Sequence, residues 1–75
     1  MNWQDIAKKL VIQNKLSTAI TVLRLNSVDV SAYQKSFDRL KGLSGAAKLD
    51  WEDTLAAKML ADITDQRLVL TKLPQ

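Results

Sequence analysis

The side chains that could do chemistry in this 75-residue chain are carboxylates, hydroxyls and lysine amines, because it contains no histidine and no cysteine. Histidine is the commonest general base and metal ligand, and cysteine supplies the best thiol nucleophile. The best-spaced acid pair is Asp62 and Asp65, about one helical turn apart. A carboxylic acid donates a proton near neutral pH only where burial raises its pKa. We expect both to face solvent near Lys58 and to stay ionised, which argues against a catalytic pair.

The other candidates for catalysis or metal binding are weaker. The acidic run 50–53 offers oxygen ligands, but acidic residues at the start of a helix explain it without a metal. Ser36 lies near Lys35 and Lys41 in the sequence, yet a lysine acts as a base only when it is buried. The two glycines do not form a phosphate-binding loop. We therefore expect a non-enzyme with no catalytic residue, metal, cofactor or small-molecule substrate.

Length and composition predict one helical domain over residues 1–75 with a small core. A chain this short buries only about 60–65% of its unfolded surface. Apolar residues make up 47% of the sequence, and no disulfide can reinforce the fold. Some of these apolar side chains should stay exposed, which favours a protein partner or self-association as a homodimer.

The sequence also bears on location. It begins without the basic and apolar regions of a secretory signal. No stretch approaches the roughly 18 apolar residues of a membrane span. Together with the lack of cysteine, these features predict a cytoplasmic protein with no membrane partner.

Charge is unevenly distributed along the chain. Residues 1–48 hold eight Lys/Arg against three Asp, whereas residues 49–75 hold three Lys/Arg against five Asp/Glu. The first part could face an anionic partner, although both parts are also typical of solvated helix faces.

Apolar periodicity predicts an all-α fold, a small bundle of three to four short helices whose last helix is the longest. The predicted helices cover residues 3–14, 17–25, 30–42 and 51–70. The helix at 17–25 is the least clear, because its β-branched residues also favour a strand. The only other strand candidate, 69–71, is short, so the helix is preferred.

Capping residues predict where these helices begin and end. Asn2 should cap the first helix with Asp5 in its first turn, and Asp50 should cap the last. Gly42 should end the third helix, in a loop that continues to Gly45. The predicted core consists of Ile6, Leu10, Leu23, Tyr33, Phe37, Leu40, Leu55, Met59 and Ile63.

Apolar residues outside this core favour a small regulatory or adaptor protein that acts by protein–protein interaction through an exposed apolar patch. Both tryptophans lie near predicted helix starts, and tryptophan is common at interface hot spots. Either one could instead cover the core. The residues without a place in the core are Trp3, Val11, Ile12, Val28, Trp51, Leu68, Val69, Leu70 and Leu73, of which Trp3, Ile12, Trp51, Leu68 and Leu70 are the candidate interface residues.

The alternative is a DNA-binding transcriptional regulator that uses helix 30–42 as its recognition helix. A turn precedes this helix, as in a helix-turn-helix unit, whose second helix presents polar side chains to the major groove. Asp38 in the middle of that face and a net charge of only +3 count against nucleic-acid binding. The candidate nucleic-acid contacts are Lys8, Lys9, Arg24, Gln34, Lys35, Arg39 and Lys41.

Overall fold

The computed structural model describes residues 2–71, which form four α-helices and one short 3-10 helix. The all-α class is confirmed, as is a small bundle whose last helix is the longest. None of these helices combines the length and the apolarity that crossing a bilayer requires. The elements in chain order are α1 (Trp3–Ile12), α2 (Leu16–Leu25), α3 (Ser31–Arg39), the 3-10 helix (Leu40–Gly42) and α4 (Gly45–Thr64).

Helix α1 begins where the sequence predicts, because Asn2 caps it. The Asn2 side-chain oxygen accepts a hydrogen bond from the backbone N–H of Asp5 at 2.9 Å, which satisfies a donor that has no partner within the helix. At the other end, the backbone N–H of Lys15 donates to the Leu10 carbonyl at 2.8 Å. Asn14 there adopts a left-handed φ of 59°, which asparagine tolerates better than most residues. The chain therefore turns sharply, and α2 packs against α1.

The ambiguous second segment is a helix, and burial is the reason. Its buried side chains share one face at helical spacing, so packing outweighs the strand preference of its β-branched residues. These side chains are Leu16, Ala19, Ile20 and Leu23.

The short strand candidate pairs with a different segment. Val28 and Leu70 form an antiparallel bridge. The backbone N–H of Asp29 donates to the Val69 carbonyl at 2.7 Å. This pairing holds the segment after α4 against the α2–α3 turn.

Helix α3 and the 3-10 helix together cover most of the predicted helix 30–42, and the helical stretch ends at Gly42 as expected. The Asp29 carboxylate accepts hydrogen bonds from the Ser31 hydroxyl at 2.6 Å and from the Ser31 backbone N–H at 3.1 Å. These bonds, the hydroxyl first, hold the pKa of Asp29 below its ordinary value. Asp29 therefore orders the chain where α3 begins.

The predicted start of the last helix is wrong. Helix α4 begins at Gly45, and Asp50 lies inside it instead of capping it. Residues 44–50 are all exposed, so the first turns depend on the high helix propensity of Ala46 and Ala47 and not on burial. Gly45 has a left-handed φ of 60°, which glycine adopts at little cost.

The predicted end of the last helix, at residue 70, is also wrong. Helix α4 ends at Thr64, and Gln66 takes a left-handed φ of 57°. The backbone N–H of Arg67 donates to the Asp62 carbonyl at 2.8 Å, which closes the helix end. The chain then reverses, and its apolar residues return to the α2–α3 turn instead of extending the helix.

The core is close to the predicted one but is displaced on α1. Ile6 is 40% exposed, whereas Ala7 is fully buried. A small side chain at the centre lets α1 approach its neighbours closely. Val11 and Val28, which the sequence pattern did not assign to the core, are also buried. The buried hydrophobic residues are Ala7, Val11, Leu16, Ala19, Ile20, Leu23, Val28, Val30, Tyr33, Leu40, Leu55, Met59 and Ile63, with Leu10 and Phe37 partly buried against them.

The two glycines provide a matched test of how α4 begins. Open space surrounds the Cβ position of both, but only Gly45 has a positive φ. We expect Gly45→Ala to lower the free energy of unfolding by about 1 kcal/mol, because a left-handed conformation disfavours a Cβ. Gly42→Ala should be neutral or slightly stabilising, since it reduces the entropy of the unfolded chain. Urea unfolding followed by tryptophan fluorescence measures both, and equal effects would contradict this account of the helix start.

Candidate interaction surfaces

Helices α1 and α4 pack antiparallel. At one end of their contact, the Asn14 side-chain amide donates to the Glu52 carboxylate at 2.9 Å. At the other end, Trp3 lines a depression together with Ile63 and Thr64. The line along which these helices meet is open to solvent, and we call it the α1/α4 seam.

The seam contains two depressions. The first, of about 340 Å³, is lined by Ile12 on α1 and by Asp53, Ala57 and Leu60 on α4. Ile12 is 70% exposed and Ala57 is also exposed. Leu49, which is 62% exposed, precedes Asp53 by four residues and so shares this face of α4. This end of the seam is therefore apolar with one acidic group.

The second depression, of about 470 Å³, lies at the opposite end and carries a lysine. Its apolar lining is Trp3, Ile63, Leu68 and Leu70, and its charged residues are Lys8 and Asp5. Leu70 is 62% exposed, whereas Trp3 and Leu68 are partly buried against the core.

Four of the five candidate interface residues therefore line the seam, at its two ends. Ile12 lies in the first depression, and Trp3, Leu68 and Leu70 lie in the second. Leu73 lies outside the described residues. These four residues share one surface because α1 packs antiparallel on α4. The spacing of residues along the sequence does not show this packing.

Trp51 is the exception, because it lies on α4 and packs against α3. Its indole N–H donates to the Ser36 carbonyl at 2.8 Å, and the Arg39 guanidinium lies 5.6 Å from its ring centroid. Such a cation–π contact stabilises an exposed pair by about 0.5–1 kcal/mol. Trp51 thus holds α3 on α4.

Three of the candidate nucleic-acid contacts interact with other side chains of the protein. Gln34 donates its side-chain amide to Asp38 at 3.0 Å, and Lys8 pairs with Asp5 at 3.9 Å. Arg39 contacts Trp51 instead of projecting freely. The remaining candidates are the exposed Lys9, Arg24, Lys35 and Lys41.

Lys41 belongs to a third surface, a cleft of about 320 Å³ between the start of α2, the end of α3 with the 3-10 helix, and the first half of α4. Sequence reasoning missed this cleft, because it joins residues from three separated segments. We call it the lysine cleft; its lining is Asn14, Leu16, Phe37, Leu40, Lys41, Lys48 and Glu52.

The acid pair considered for catalysis is occupied by other contacts. The side chain of Asp62 is 13% exposed and lies 3.6 Å from the Lys58 amine and 3.9 Å from Arg67. It also accepts a hydrogen bond from the Tyr33 hydroxyl. Asp62 is therefore less exposed than the sequence indicated. Asp65 pairs with Arg67 at 2.9 Å. Among residues 2–71 no three acidic side chains converge to hold a metal ion.

Comparisons with known proteins gave no matching family model, no matching curated protein and no matching solved structure. Function is therefore inferred from these surfaces themselves. The seam and the lysine cleft both expose apolar atoms beside charged ones.

The contact between Tyr33 and Asp62 makes stability depend on pH in the alkaline range. Burial, and next the hydrogen bond to Asp62, raise the pKa of Tyr33 above its ordinary value of 10.0. The folded protein therefore keeps the proton while the unfolded chain loses it. The resulting stabilisation is complete below pH 10 and declines as the pH rises further.

We expect Tyr33→Phe to lower the free energy of unfolding by about 2 kcal/mol at pH 8, because it removes a hydrogen bond to a charged group. Above pH 10 the difference between wild type and variant should shrink by about 1.4 kcal/mol per pH unit. Urea unfolding at pH 8 and pH 11 measures this difference. The titration of lysines affects wild type and variant equally, so it cancels in the difference. A difference that is the same at both pH values would refute the coupling.

Proposed function

We propose that this protein is a non-enzymatic regulator or adaptor that acts by protein–protein interaction, and that it forms a homodimer through the α1/α4 seam. The observation that carries the proposal is that Ile12, Leu49 and Leu70 are 62–70% exposed along or beside one seam. Exposed apolar side chains that share one face are a feature of interaction sites more than of free surface. A cytoplasmic location is part of the proposal and is supported by the cysteine-free sequence.

The seam offers a surface for a second copy of this chain. Helix α1, the shorter of its two helices, has 10 residues, so the line along which it meets α4 is about 15 Å long. A stable interface of standard size covers about 800 Å² on each partner, roughly a seventh of the 5316 Å² surface of this chain, so the proposed contact includes the depression lined by Leu68 and Leu70. Small residues along the seam, such as Ala57, permit close approach of two helices.

Charge gives the dimer its direction. Asp53 lies in one depression of the seam, whereas Lys8 lies in the other, 3.9 Å from Asp5. Both side chains of the Lys8–Asp5 pair are at least 36% exposed, so the pair is weak and Lys8 can still attract a carboxylate of the partner. In an isologous dimer with two-fold symmetry, each patch meets the same patch on the partner in the reverse direction. Asp53 of one copy then faces Lys8 of the other, and the Ile12 depression faces the depression lined by Trp3 and Leu70.

Solution mass tests the dimer directly. We expect light scattering to give twice the 8.4 kDa monomer mass, and Ile12→Asp or Leu70→Asp to reduce it to the monomer. Burying one unpaired carboxylate at the interface weakens association by several kcal/mol. The matched control is Leu25→Asp, which changes a side chain on α2 that is 76% exposed. A wild-type monomer at 100 µM, or equal effects of all three substitutions, would exclude the seam dimer.

A charge exchange tests the direction of pairing. We expect Asp53→Lys and Lys8→Asp each to weaken the dimer by about fivefold to tenfold, because each places like charges opposite one another. The double variant should recover most of the affinity. Sedimentation equilibrium at low salt gives the three dissociation constants. Additive losses in the double variant would show that the two residues do not face each other.

DNA binding is not the function that we propose, because Gln34 and Arg39 of the candidate recognition helix contact Asp38 and Trp51. A gel shift with a random-sequence duplex checks this conclusion. Affinity that falls about a thousandfold between 50 and 200 mM salt, and is lost on Lys35→Ala, would favour the DNA-binding alternative over the seam.

A further inference from the structure

We propose that the lysine cleft binds a peptide segment of another protein in which a bulky apolar side chain stands next to an acidic one. This site adjoins the α1/α4 seam, with which it shares Asn14, and it goes beyond the proposed dimer. It would give an adaptor a second partner in addition to its own copy.

The floor of the cleft is apolar and of limited size. Leu16 and Leu40 are buried, and Phe37 is partly buried against the core while its remaining surface lines the cleft. A volume of about 320 Å³ is at the lower limit of ligand sites, which range from about 300 to 1,000 Å³. The cleft therefore accommodates one or two side chains of the size of leucine or phenylalanine.

The rim of the cleft carries an excess of positive charge. Among residues 2–71, no carboxylate lies within ion-pair distance of Lys41 or Lys48. Glu52 is one helical turn from Lys48, but its carboxylate accepts the hydrogen bond from Asn14 instead. Two lysines therefore remain available to an acidic group that arrives from outside.

The same arrangement limits where the acidic group can be placed. Glu52 repels a second carboxylate placed next to it, whereas Lys41 and Lys48 attract one. Complementary charge of this kind orients a partner and speeds its association more than it adds to affinity. Binding should therefore be weak, specific for acidic peptides and sensitive to salt.

Two other occupants are less suited to the cleft. Nucleic-acid phosphates would pair with the lysines, but they make no use of the apolar floor. A second copy of the chain is already assigned to the seam, which has Ile12, Asp53 and Leu60 in its lining, none of which lines the cleft.

The test uses a fluorescein-labelled peptide, Gly-Ser-Asp-Asp-Phe-Leu-Asp-Gly-Ser, and fluorescence anisotropy at 50 mM salt. We expect a dissociation constant below about 1 mM, a weak but measurable interaction. A second peptide with Asn in place of each Asp should bind about tenfold more weakly, because it lacks the charge. A third peptide with Ala-Ala in place of Phe-Leu should lose binding, which tests the apolar floor without altering the protein.

Protein variants locate the site. Lys41→Glu combined with Lys48→Glu should weaken binding at least about tenfold. The matched control combines Lys9→Glu with Lys35→Glu, which changes the net charge by the same amount at exposed lysines outside the cleft. The control should stay within about twofold of wild type. Circular dichroism confirms that both double variants are folded.

The proposal is overturned if the acidic peptide does not bind at 1 mM, if both double variants lose affinity equally, or if the Ala-Ala peptide binds as well as its parent. A 12-base-pair duplex that binds through Lys41 and Lys48 more tightly than the peptide would also overturn it in favour of nucleic acid. Repeating the titration with Ile12→Asp separates this site from the dimer. Unchanged affinity in that variant supports the cleft whether or not the seam associates.

Discussion

Helix α4, which takes 20 of the 75 residues of the chain, is covered along only part of its length, and this incomplete cover determines much of the structure. Only the second half of α4 places buried side chains in the core, namely Leu55, Met59 and Ile63. The first half is held by Trp51, which bonds to α3, and by Glu52, which bonds to the turn after α1. Because these are single contacts, the surfaces on either side of α4 stay open, and both surfaces with a proposed function lie there.

The carboxyl-terminal end of α4 is held by polar contacts and not by further apolar residues of the helix. Asp62 accepts the hydrogen bond of Tyr33 and lies near Lys58 and Arg67, so one carboxylate links α3, α4 and the segment after α4. The same segment then pairs with the α2–α3 turn through Val28 and Leu70. A partly buried acid with this many partners has a structural explanation, and its position does not require a catalytic one.

The sequence predicts the helices wherever a buried stripe and a cap coincide, as in α1 with Asn2 and Asp5. It misplaces the start of α4 because residues 44–50 are exposed and carry no periodic signal, while Asp50 followed by Glu52 imitates a cap. It misplaces the end because the apolar run 68–70 continues the helical pattern, although in the structure this run turns back and makes a single β-bridge with the α2–α3 turn. The sequence predicts individual residues of the seam but does not predict that they form one surface, because the two depressions depend on how α1 packs against α4. The lysine cleft requires the full fold.

The antiparallel packing of α1 on α4 also determines how charge is distributed along the seam. Asp53 lies in one depression with Ile12, whereas Lys8 lies in the other, where the Asp5 carboxylate is 3.9 Å from its amine. One depression therefore contains a single carboxylate, and the other contains a carboxylate and an amine that offset each other. In the proposed dimer, alignment of two copies in the same direction would place the two Asp53 carboxylates together, whereas reverse alignment separates them. This repulsion is the reason to propose a closed two-fold pair and not an open-ended stack of chains.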